Sequence, residues 1–187
     1  MKRRAWLGVT LAAAVGWGAG TSFLQKFREE SLAPFVPSPQ AVVDKMLGMA
    51  GVKPGETVYD LGCGDGRILI TAAQKFKARG VGVELSPELA RRTHERIREL
   101  GLQDQIRIIE GNLMEVDLRP ADVVALYLLT SSNQQLRPKL EASLKRGSRV
   151  VSHDFVIPGW QPSRVEKVAV SRRVHTIYLY EMPPKPR

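Results

Sequence analysis

The chain has one cysteine, Cys63, in 187 residues, so neither an intrachain disulfide nor a cysteine-rich metal centre can be built. Histidine is scarce too, at three, and none stands at metal-ligand spacing. No Ser, His and Asp stand out in the order of a hydrolytic triad. Aromatics reach only 6%, which argues against the base-stacking platforms of single-stranded nucleic-acid binders. Internal repeats are absent. What remains is ordinary for a globular chain: 43% hydrophobic and 25% charged residues, enough for one well-buried domain and too short for two.

The net charge of +9 is unevenly spread. Residues 1–30 carry +3, residues 31–136 carry −1, and residues 137–187 carry +7. Basic ends of this kind suit nucleic acid, an anionic membrane surface or an acidic partner, or serve only as a solvated face.

The first segment, MKRRAWLGVTLAAAVGWGAGTSFLQKFREE, runs uncharged from Ala5 to Gln25. About 20 apolar residues cross a hydrocarbon core as a helix, and Trp6, Trp17 and the glycines suit a membrane segment. Residues 1–30 are therefore expected to be a hydrophobic membrane anchor or a signal segment. Gly18-Ala19-Gly20 offers a small-residue cleavage site, and Arg3-Arg4 loosely fits a twin-arginine signal; an uncleaved anchor is favoured. Residues 31–40, with Pro34, Pro37 and Pro39, read as a stiff linker or lid. Residues 41–187 form the domain.

Within it, apolar residues at Val42, Val43, Met46, Leu47 and Met49 predict a helix. Strands and helices then alternate: strands at 57–61, 80–85, 106–111, 122–129 and 149–155, helices at 66–76 and near 132–145. Ser86-Pro87-Glu88 starts another helix, with Ser86 as cap. Leu89, Thr93, Ile97 and Leu100 are its expected buried stripe, and Glu88/Arg92 and Arg91/Glu95 pair on its wet face. SRVEKVAV and RVHTIYLYEM read as an antiparallel hairpin. The pattern predicts an α/β, Rossmann-like fold: a mostly parallel, seven-stranded sheet with helices on both faces and a C-terminal antiparallel hairpin.

In such sheets ligands bind beyond the carboxyl ends of the strands, where strand order reverses. The loop there is TVYDLGCGDGRILI, residues 57–70. Gly62, Gly64 and Gly66 let backbone approach a ligand, but G-x-G-x-G is one residue short of the dinucleotide fingerprint. Asp60 and Asp65 bracket the loop. Two carboxylates repel a pyrophosphate and attract an ammonium or sulfonium. Glu84 ends the second strand, placed to accept from a ribose diol.

VYDLGCGDGR resembles the first motif of the class I S-adenosylmethionine-dependent methyltransferases, and the resemblance runs from about Pro34 to Met182. It implies S-adenosyl-L-methionine as cofactor and a binding set of Asp60, Gly62, Cys63, Gly64, Asp65 and Gly66 in the loop, with Glu84, Leu85, Asn112 and Leu113. Asp60 would orient the loop and the methionine amino group, Glu84 would take the ribose, and Leu85 and Leu113 would flank adenine. The family's usual Asp is Asn112 here, whose carbonyl can accept from the exocyclic amine. More narrowly, PFVPSPQAVVDKML, DLGCGDGRILI and GVGVELSPELA together resemble a small lysine methyltransferase family. Its mitochondrial members modify the membrane-embedded c subunit of ATP synthase.

Tyr127 is the candidate catalytic residue. The Asn/Asp-Pro-Pro-aromatic motif of many planar-nitrogen methyltransferases is absent at Tyr127-Leu128-Leu129-Thr130, which argues against base amines and glutamine amides; a tyrosine there can line an alkyl-ammonium channel. Cys63 reads as a small buried filler and His94 as solvated. His153 beside Asp154 is a base or a structural pair, and His175 is expected to be unrelated to chemistry. The reading is a methyltransferase for a protein lysine, on a membrane-associated protein, with its catalytic domain on the cytoplasmic side where the cofactor pool lies. A small-molecule or lipid methyltransferase and a cofactor-binding protein without transferase activity are the alternatives.

Overall fold

The computed structural model describes residues 35–183 and the backbone of 185–186. The expected anchor at 1–30 lies outside the described residues; among those described, no helix is long and apolar enough to cross a membrane.

Five parallel strands run first: β1 (Thr57–Leu61), β2 (Arg79–Glu84), β3 (Ile106–Glu110), β4 (Val123–Leu126) and β5 (Arg149–His153). A two-residue strand, β6 (Trp160–Gln161), pairs with β9 (Lys185–Pro186). Between them β7 (Arg164–Val170) and β8 (Arg173–Glu181) form the expected hairpin, and β8 docks antiparallel on β5. The main sheet has the order β3-β2-β1-β4-β5-β8-β7. Strand order therefore reverses between β1 and β4.

Side chains alternate across the central strands with period two, as pleated strands require. Val58, Val123, Ala125 and Val151 join α1 (Gln40–Met49), α2 (Arg67–Phe76) and α3 (Pro87–Glu99) on one face. Tyr59, Leu61, Val124, Leu126 and Val150 face α4 (Thr130–Ser143) on the other. Burial on both faces is what a parallel sheet needs.

Two expectations shift. The fourth strand ends at Leu126 rather than at 129: β1 stops at Leu61, opposite Leu126, where the chain turns into the glycine loop. No ladder remains for Tyr127 to join on that side. The stripe of α3 is Ala90, Thr93 and Ile97, while Leu89 is half-buried and Leu100 is exposed. The small Ala90 brings α3 close, and the helix rotates Leu89 towards the strand ends. Ser86 does cap α3, accepting from the Leu89 amide at 3.4 Å, and the two wet-face ion pairs form.

Candidate active site

The carboxyl ends of β1, β2 and β4 enclose a cavity of about 290 Å³. Asp60, Gly62, Cys63, Gly64, Asp65, Glu84, Leu85, Asn112, Leu113 and Tyr127 all line it. Gly66 does not. It is the left-handed N-cap of α2, φ 73°, and a β carbon there would stand 2.7 Å from the Thr93 methyl. Its task is to let α3 pack against the turn.

Asp60 is 3% exposed, and no hydrogen bond from the described residues offsets the burial of its carboxyl group. Burial, then the nearby Glu84 and Asp65 carboxylates, push its pKa up to about 8. A buried acid with no partner at the edge of a cavity fits a cationic ligand group that would restore its charge. Asp65 differs from the expectation. Arg67 grips it with Nε at 3.0 and 3.1 Å and a terminal nitrogen at 2.6 Å, and its pKa is held down despite partial burial. Asp65 thus already has its counter-ion, and Asp60 is the carboxyl group at the cavity left without one.

Glu84 holds the loop in shape. Oε2 accepts the Gly64 amide and Oε1 the Ser86 amide, both at 2.9 Å. A carboxylate has about four acceptor sites, so two stay open for a diol. Cys63 is buried and its thiol is pushed well up by burial, in keeping with a filler packed against Gly82. The Asn112 carbonyl accepts the Met114 amide at 2.9 Å, which leaves one lone pair rather than two for a ligand.

Several contributors lie outside the residues that the sequence singled out for the site. Phe35, Val36, Pro37 and Ser38 cover the cavity from the segment before α1. Phe35 sits so close over Gly64, itself at φ 51°, that a β carbon there would overlap its ring. Arg67 also donates to the Ser38 carbonyl at 2.8 Å. Thr93, 1% exposed, donates to the Gly64 carbonyl at 2.6 Å. Proline spacing hinted at the covering segment; nothing local hinted at Thr93.

Tyr127 stacks on His153 with centroids 3.8 Å apart and planes 28° apart. His153 does not simply pair with Asp154. Its Nδ1 meets Ser38 Oγ at 2.9 Å and its Nε2 meets His175 Nδ1 at 2.8 Å. His175, expected to be unrelated, is thus part of the group behind the cavity wall. The donor atoms of His153, Asp154 and His175 all lie within 4.8 Å of one another. His94 is exposed, as expected.

A family model described as the ANTKMT methyltransferase domain matches residues 60–164. The chain belongs to that family. A protein-lysine N-methyltransferase of Saccharolobus islandicus is 49% identical over 148 residues, covering 79% of this chain and 92% of that protein. The lysine N-methyltransferase of the ATP synthase c-subunit from Mus musculus is 29% identical, covering 97% of this chain and 73% of its own. An RNA methyltransferase from Salinibacter ruber, solved with S-adenosyl-L-homocysteine, is 44% identical with a TM-score of 0.74, covering 79% of this chain and 94% of that one. This ANTKMT-family protein is a Rossmann-like, S-adenosylmethionine-dependent methyltransferase. Its buried, unpartnered Asp60 and the open acceptor sites of Glu84 fit the cationic adenosyl cofactor.

Proposed function

We propose that this methyltransferase transfers its methyl group to a protein lysine. The observation that carries the reading is the acceptor wall: the Tyr127 ring, fixed against His153, at the end of β4 beside the glycine loop. An aromatic face attracts an alkyl ammonium, and burial holds the His153 pKa down to about 4, so its imidazole adds no positive charge behind that face. The names of the Saccharolobus and mouse relatives agree with this acceptor.

S-adenosylmethionine, when bound, supplies an electrophilic methyl group on a sulfonium for in-line transfer. Asp60 would hold its cationic end and Glu84 its ribose, and Leu85 and Leu113 would flank the adenine ring. Phe35 to Ser38 exclude water from above, clamped by Arg67. The low-dielectric surroundings lower the pKa of the incoming lysine by desolvation.

Residues 1–30 belong to the reading as a membrane tether, with a membrane-associated protein as substrate and the domain on the cytoplasmic side. The Salinibacter relative, an RNA methyltransferase by name, favours a second reading with RNA as acceptor, and the basic carboxy-terminal third, +7 over residues 137–187, would suit it. Incubation of fractionated membranes, soluble protein and RNA with radiolabelled S-adenosylmethionine separates them. Label on lysine in membrane protein is expected. Label in RNA alone overturns the lysine reading, and recovery of the full chain in the soluble fraction overturns the tether.

A further inference from the structure

Methylation of a lysine releases one proton per methyl transferred, because the amine arrives as an ammonium and leaves as one. At pH 7 only about one lysine in 2,500 is neutral for a pKa of about 10.4. A covered cavity therefore needs a route by which that proton leaves. Asp65 is occupied by Arg67, and Asp60 and Glu84 belong to the cofactor end.

Ser38 stands apart from these. It lines the cavity, and its hydroxyl is 2.9 Å from Nδ1 of the wholly buried His153. On the far side, His153 Nε2 is 2.8 Å from His175 Nδ1 and 3.4 Å from Asp154 Oδ2. His175 Nδ1 is 3.0 Å from the same carboxylate oxygen. Asp154 is partly exposed, and Arg173, beside it at 3.5 Å, is largely in solvent. The chain of exchangeable groups is unbroken from cavity wall to surface. Asp154, His175 and Arg173 are the charged or titratable groups facing His153, with Tyr127 stacked on its ring.

We infer that Ser38, His153, His175 and Asp154 form a proton relay that carries the acceptor amine's proton from the cavity to solvent. The inference rests on the lysine reading. The substrate N–H bond breaks as Ser38 Oγ takes that proton, and the hydroxyl's own proton bonds to His153 Nδ1. The His153 Nε2–H proton passes to His175 Nδ1 or Asp154 Oδ2 and then to water. The amine keeps its electron pair for the methyl carbon. Once the product has left and water enters the cavity, His153 passes its Nδ1 proton back through Ser38 to that water and regains one at Nε2 from the surface side, so no group gains or loses a proton over a turnover.

Imidazole suits the task because one ring nitrogen accepts while the other donates. Burial of His153 disfavours its charged form, so the proton passes through rather than resting there. Asp154 takes a left-handed conformation, φ 59°, uncommon for a residue other than glycine. That conformation turns Oδ1 to the Thr176 amide at 2.7 Å and Oδ2 to His175. Strain of this kind persists where the surrounding contacts over-determine it. His153, His175 and Asp154 act through Ser38, as positioning residues for its hydroxyl.

The test uses total protein from cells lacking the gene as acceptor, with saturating radiolabelled S-adenosylmethionine. Ser38→Ala should slow incorporation at least about a hundredfold at pH 7, the low side of general acid–base effects. The deficit should shrink to about fourfold or less by pH 10, where roughly three lysines in ten are already neutral. Ser38→Thr, which keeps the hydroxyl, should restore the rate at pH 7. An equal deficit at both pH values overturns the relay and leaves the lysine reading standing. No label in protein from the unaltered enzyme removes the lysine reading, and the relay with it.

Discussion

Glu84 Oε2 accepts the Gly64 amide at 2.9 Å, so the carboxylate ending β2 sets the backbone of the loop that follows β1. One side chain thereby links two strand ends twenty residues apart and presents its remaining acceptor sites to the cavity. The carboxylate that shapes the loop is also the one assigned to the ribose.

Replacing it should affect both. Glu84→Ala is expected to weaken S-adenosylmethionine binding by about 1.5–3 kcal/mol, the span for charge-assisted hydrogen bonds, or about 10- to 150-fold in Kd by titration calorimetry. Unchanged affinity would remove Glu84 from the site.

Two glycines should separate binding from folding. At Gly64 a β carbon meets the Phe35 ring, which is half exposed and free to swing out. Gly64→Ala should therefore cost affinity while the domain still unfolds cooperatively, with about 1–3 kcal/mol lost to backbone strain. At Gly82 the added carbon would meet Cys63 Sγ at 2.7 Å, Ile108 Cδ1 at 2.7 Å and Leu69 Cδ1 at 2.8 Å. That is overpacking from three sides in a central strand, so Gly82→Ala should lower stability by about 1–3 kcal/mol in denaturant melts while cofactor affinity stays near that of the unaltered enzyme. Equal affinity loss in the two variants contradicts the assignment.

Asp60 makes a prediction in pH. Its folded pKa of about 8 lies above its ordinary value. The native state thus holds a proton that the unfolded chain releases near pH 4. This contribution to stability is full below the ordinary carboxylate range and is lost as pH rises through about 8. Cofactor-free enzyme should melt at lower temperature at pH 8.5 than at pH 6, and Asp60→Asn should flatten the difference. A bound cation reverses the preference: calorimetry in buffers of different ionisation enthalpy should find close to one proton released per S-adenosylmethionine bound at pH 7. No linked proton would mean that Asp60 does not meet the cation.

Arg67 ties Asp65 to the Ser38 carbonyl. Arg67→Met should loosen residues 35–38 and speed cofactor dissociation by about tenfold in stopped-flow chase, the change expected for about 1.4 kcal/mol of lost closure. A dissociation rate that stays the same would detach this covering segment from cofactor retention.

The β-α alternation, the glycine loop and the Ser86 cap are legible in the sequence because each rests on local chemistry: period, turn residues and capping. Gly66 reads as ligand-facing because its neighbours in sequence are; only the approach of α3 gives it another task. Asp65 reads as a free anion because a motif does not say which way Arg67 turns. His175 looks idle in the sequence because its partner, His153, is twenty-two residues away and meets it only across β5 and β8.

The sequence alone determined the class of fold and the loop that lines the cavity, since hydrophobic period fixes which faces are buried, and glycines let backbone approach a ligand. Tertiary structure decided which carboxylate remains unpaired, what covers the cavity, and how three residues from distant segments come to share protons behind Tyr127. Those depend on distances of about 3 Å between groups brought together only when the antiparallel hairpin docks and the amino-terminal segment folds over the strand ends.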